Sequence, residues 1–109
     1  MNITNIQIEI TSDADNVPDR ILWGNNTGIE VEEAKAISIG VWDAKGRGSM
    51  VMELWNKEMQ TLELKGFYLE IIKKIGETIR TATDDHVVSN IIDNACFQIS
   101  SLLEEEVKR

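Results

Sequence analysis

The sequence predicts an α+β domain: a four-stranded antiparallel sheet made of two hairpins, followed by two antiparallel C-terminal helices packed on one sheet face. Three observations lead there. Ile6, Ile8 and Ile10 alternate with Gln7, Glu9 and Thr11. Two further alternating runs, "AISIGVWD" and "SMVMELWN", flank a glycine-containing turn. From Thr61 onward the apolar period lengthens from two residues to between three and four, as an amphipathic helix requires.

The first strand shows one face of isoleucine and one of polar residues, the pattern of a sheet buried on one side. "SDADNVPDR" supplies turn residues, Pro18 interrupts the ladder, and "RILWGNN" returns as the second strand. "TGIEVEEAK" reads as a connection containing a helical turn. The third strand puts Ile37, Ile39 and Val41 on one face and Ala36, Ser38, Gly40 and Trp42 on the other. A four-residue loop, Lys45 to Gly48, would set Val41 opposite Met52, Trp42 opposite Val51 and Trp55 opposite Ser38. Leu64, Tyr68, Ile71, Ile72, Ile75, Ile79 and Ala82 mark the first helix, with Thr61 as its N-cap. Val88, Ile91, Ile92, Ala95, Ile99, Leu102 and Leu103 mark the second, with Thr83 as cap and Asp84 and Asp85 in its first turn. Nothing divides the chain, so residues 1–109 read as one domain.

Composition narrows the function classes. A net charge of −8 opposes nucleic acid and anionic lipid, and no basic cluster offsets it. The N-terminal "MNITNIQIEI" lacks the basic and apolar regions of a signal peptide or anchor, so the expected location is the cytoplasm, without membrane insertion. The single cysteine, Cys96, sits in an apolar helical stretch and reads as a buried structural thiol. His86, the only histidine, reads as a surface residue, because Asp84, Asp85 and His86 spread around a helix axis instead of converging on a metal. "DADN" begins like a calcium loop, but Val17 takes a ligand position and no closing glutamate follows. "GRGS" matches neither a phosphate loop nor a nucleophile elbow. No catalytic, metal or cofactor site is expected.

What remains is a surface. Trp42, Ser38, Gly40, Val51, Glu53 and Trp55 share one face of the second hairpin, two indoles flanking a strip of small residues. Such a patch suits a protein partner or a second copy of the chain. Alternatively, the indoles lie flat on their own sheet, or under the Thr27–Lys35 connection with Trp23, and stabilise it.

"VPDRILW", "AKAISIGVWDAKGRGSMVMELWNKEM" and "TIRTAT" resemble the gliding-motility-associated GldC family over about Ile6 to Leu103. Trp42-Asp43 and Leu54-Trp55-Asn56-Lys57-Glu58-Met59 carry the likeness; Ala44, Val51 and Asn56 depart from the family pattern. The resemblance implies a small cytoplasmic, non-enzymatic accessory of the gliding machinery of Bacteroidetes. An interaction protein is therefore expected, with a motility component or its own twin as partner. Its rivals are a holdase resembling the SecB export chaperone and a small-ligand-binding module with polar groups on its buried faces.

Overall fold

A computed structural model describes residues 1–25 and 31–108. The chain groups into two compact units, Met1–Met59 and Gln60–Arg109. Among the described residues the first contains five strands: β1 (Ile6–Ser12), β2 (Pro18–Asn25), β3 (Glu32–Ala34), β4 (Ala36–Trp42) and β5 (Ser49–Trp55). The second contains two helices, α1 (Thr61–Thr83) and α2 (His86–Lys108).

The expected single four-stranded sheet is corrected to two sheets: β1-β2-β3, and β4-β5. The cause is at Lys35. Glu32 to Trp42 is one extended run broken only at that residue, and it changes partner there. Before the bend, Ala34 pairs with Ile21 of β2. After it, Ala36 pairs with Trp55 of β5. At the changeover Asn56 N–H donates to the Lys35 carbonyl at 2.8 Å and Lys57 N–H to the Pro18 carbonyl at 3.0 Å, so the end of β5 meets the start of β2. Of the stretch read as a connection with a helical turn, residues 27–30 lie outside the described residues, as does residue 26 at the end of the expected second strand. The end of the connection, Glu32–Ala34, is strand.

Both hairpin loops use one device. The Asp13 carboxylate accepts the N–H groups of Asp15 and Val17, and the Asp43 carboxylate accepts those of Lys45 and Arg47. Asp13 is thus a turn anchor. The fourth loop position takes a positive φ in each, Asn16 at 62° and Gly46 at 75°, where asparagine and glycine are the tolerated residues. Pro18 opens β2, where its missing N–H costs least, beside a register shift between Thr11 and Ser12.

In the helical unit Gly76 and Ile92 set the spacing. A Cβ on Gly76 would lie 2.9 Å from Ile92 Cγ2, so the helices approach where α1 has no side chain. Leu69 and Cys96 are buried, the thiol as expected, whereas Ile75, Val88, Ile91 and Leu102 of the expected stripes are exposed. The helix caps differ from expectation. Gln60 precedes α1 in an extended conformation without a side-chain cap bond. Thr83 belongs to α1 and donates back to the Ile79 carbonyl at 2.6 Å. Asp84 closes α1 at φ 57°, while Asp85 accepts the Val88 N–H at 3.0 Å and so takes the capping place before α2.

Candidate functional site

The β4–β5 ribbon is built from its turn. Asp43 N–H donates to the Gly48 carbonyl at 3.0 Å, and the Arg47 side chain returns to the Asp43 carboxylate with Nε at 2.8 Å and Nη2 at 3.1 Å. This fork and the loop N–H groups hold the Asp43 carboxyl below its ordinary range, with the Arg47 side chain the largest cause. The connection therefore runs from Asp43 to Gly48, longer than the expected loop, and the register differs accordingly. Val41 faces Met50, Trp42 faces Ser49, Gly40 faces Val51, Ser38 faces Glu53, and Trp55 faces Ala36. Because the shift is two residues, every side chain keeps its expected face.

Trp42, Ser38, Gly40, Val51, Glu53 and Trp55 accordingly share one face. Trp42 is 79% exposed and Val51 62%, whereas Trp55 is 45% exposed. The indoles occupy diagonally opposite corners, about 20 Å apart along the strands at ~3.3 Å per residue. Between them, a methyl group added to Gly40 would meet nothing within 4 Å, so the strip is open there, whereas Ala36 and Ser38 are half-buried. Trp42 is not laid flat on a neighbour. Whether residues 26–30 approach Trp23 or Trp55 lies outside the described residues.

The opposite face departs from expectation. Ile37, Ile39 and Leu54 are half-buried, but toward the turn Val41 and Met50 are exposed, Met50 by 72%. Ile6 of β1 is exposed by 73% although it belongs to the side expected to be covered. The turn end of the ribbon is thus apolar and solvent-facing on both sides, more exposed apolar surface than the tryptophans alone signal.

Lys57 fixes the other end. Its Nζ lies 2.8 Å from Asp19 Oδ1 and 3.4 Å from Asp13 Oδ2, so one ammonium joins the end of β5 to the β1–β2 hairpin. Asp19, then Asp13, raise the Lys57 pKa above its ordinary value. Asn56 turns the chain away by accepting the Glu58 N–H at 3.1 Å. Sequence reasoning misses these roles. Asp43 four residues before Arg47 is a readable signal, whereas Lys57 with Asp13 and Asp19 is a long-range pairing without a local one.

Among the described residues Ser89 is the buried polar side chain, and it is satisfied: Arg80 Nε donates to its Oγ at 3.1 Å and the Oγ donates to the His86 carbonyl at 3.2 Å. Arg80 also reaches Asp93 at 2.7 Å, which makes the cluster a clasp between helices. His86 is exposed as expected but has a partner that the sequence did not name, Asp84 Oδ1 at 2.9 Å. No group of three ligating side chains that could hold a metal occurs among the described residues. An apolar hollow of about 420 Å³ lies between the helices beside Leu64, Tyr68, Ile99 and Leu103. No described helix is long and apolar enough to cross a membrane.

A protein-family model described as gliding motility-associated protein GldC-like matches residues 18–105. No curated protein and no solved structure matches the chain. The matched span covers the strand changeover, the whole ribbon and nearly all of both helices.

Proposed function

The chain belongs to the GldC-like, gliding-motility-associated family, and on that premise we propose that it is a non-enzymatic accessory protein of the gliding machinery. It works in the cytoplasm by presenting the Trp42 face of the β4–β5 ribbon to another protein of that machinery. The observation that supports this reading is Trp42 itself: a 79% exposed indole held at the corner of a ribbon whose turn is locked by Asp43 and Arg47. Large aromatic side chains on rigid, shallow surfaces are the usual anchors of protein interfaces.

The test is affinity capture from a gliding bacterium with wild-type bait and a folded Trp42→Ala, Trp55→Ala bait. The expected result is that wild-type bait holds one or a few gliding-machinery proteins and the double variant releases them. Equal capture by both baits would remove the indoles from the interface. Exposure of apolar residues on both sides of the ribbon also favours a second reading, a holdase, whose signature would be a broad set of unfolded chains on either bait.

A further inference from the structure

One charge stands on the tryptophan face of the ribbon, and no described residue answers it. Among the residues that β4 and β5 place on this face, Glu53 is the one with an ionisable side chain. It is exposed, and its carboxylate makes no hydrogen bond or ion pair with a described residue. Ser38 lies directly opposite, with Gly40 and Ala36 on the diagonals, so no long neighbour on β4 leans over it. Trp55 follows two residues along the same strand on the same face, about 7 Å away, and keeps 45% of its surface exposed.

A free carboxylate beside an open indole is a place for a cation. The carboxylate offers two acceptor oxygens, and the face of tryptophan attracts positive charge held within about 6 Å of the ring. A guanidinium satisfies both at once: it is planar, stacks on an aromatic ring and meets a carboxylate through two parallel N–H···O bonds. An ammonium is more strongly hydrated and matches the charge alone. We infer that the protein bound by this face carries an arginine whose guanidinium pairs with Glu53 and stacks on Trp55. The inference rests on the assignment of the face as the interaction surface and names the chemistry of what binds there.

Position and charge select this occupant. Glu53 lies between the two indoles along the ribbon, so a partner that covers both also takes the carboxylate out of water. Burial without a counter-charge is strongly disfavoured, which excludes a wholly apolar partner surface. The net charge of −8 draws basic partners to the chain. A second copy would bring the same negative charge, and its described arginines are already engaged: Arg20 with Glu33 at 3.9 Å, Arg47 with Asp43 at 2.8 Å and Arg80 with Asp93 at 2.7 Å. The guanidinium therefore belongs to a different protein.

The test titrates the full chain with acetylated Thr-Val-Xaa-Val-Thr amides, in which Xaa is arginine, lysine or citrulline, and follows the indole N–H resonances of Trp42 and Trp55. Citrulline keeps the shape of arginine without its charge. The expected result is that the arginine peptide moves the Trp55 resonance and binds about tenfold tighter than the citrulline peptide, with lysine between them. Glu53→Gln, an exposed substitution whose fold circular dichroism checks, is expected to erase that difference. Equal binding of the arginine and citrulline peptides, no response of Trp55 to the arginine peptide, or a preference that survives Glu53→Gln would overturn the inference. Capture from a gliding bacterium separates its failure from that of the face. If Glu53→Gln bait still holds the protein that the Trp42→Ala, Trp55→Ala bait releases, the arginine is wrong and the face assignment stands. If both baits capture as the wild type does, the face assignment falls and the inference with it.

Discussion

Lys57 Nζ sits 2.8 Å from Asp19 Oδ1 and thereby ties the chain just beyond β5 to the opening of β2. The tie is charge-dependent at both ends of the pH scale. Lys57, its pKa raised, contributes fully below the ordinary lysine value of about 10.4 and is lost as pH rises through the raised one. Asp13, its pKa lowered chiefly by the Val17 and Asp15 N–H groups, contributes above the ordinary carboxylate value of about 3.9 and is lost as pH falls below it. Lys57→Met is therefore expected to lower the melting temperature slightly at neutral pH and to leave it unchanged above the raised lysine pKa. A pH series of melting curves checks both.

Asp43 should matter more to the ribbon than any of its apolar residues. Asp43→Ala removes the acceptor of two loop N–H groups and the Arg47 fork. Amide hydrogen exchange across β4 and β5 is expected to accelerate while that of β1 and β2 does not. Asp43→Asn, which keeps an acceptor without the charge, should recover part of the protection.

Gly76 is the tightest point of the helical pair. Gly76→Leu would force Ile92 aside and is expected to cost about 1–3 kcal/mol, the usual range for overpacking, despite the better helix propensity of leucine. Urea unfolding followed by circular dichroism measures it.

Trp42 and Trp55 should separate in stability. At dilutions where only contacts within one chain count, Trp42→Ala is expected to change unfolding free energy by no more than about 0.5 kcal/mol, as for other exposed positions. Trp55, which is less exposed, should cost more. A large loss at Trp42 would show that it serves its own fold.

Which residues share a face is legible because side-chain direction in a strand has period two: a register difference of two residues moves Trp55 from Ser38 to Ala36 yet leaves it on the same face. Which face is covered is not legible, since Val41, Met50 and Ile6 are exposed. The sheet count failed for a different reason. Alternation specifies which side a residue faces but not which strand lies beside it, and the partner exchange at Lys35 depends on long-range hydrogen bonds at Asn56 and Lys57. The helices were legible as stripes, whereas their boundary was not, because Thr83, Asp84 and Asp85 are all competent caps and only backbone geometry assigns each its place. Family membership was legible through Trp42-Asp43 and Leu54 to Met59, residues that the fold uses as a turn anchor, an exposed face and a tie between strands.

The most direct test of the central claim replaces the chromosomal copy in a gliding bacterium with a Trp42→Glu, Trp55→Glu version and measures colony spreading, with cellular protein level held equal by immunoblot. The account predicts that spreading is lost while the protein persists at its normal level. Wild-type spreading by that strain would contradict the assignment of the ribbon face as the working surface.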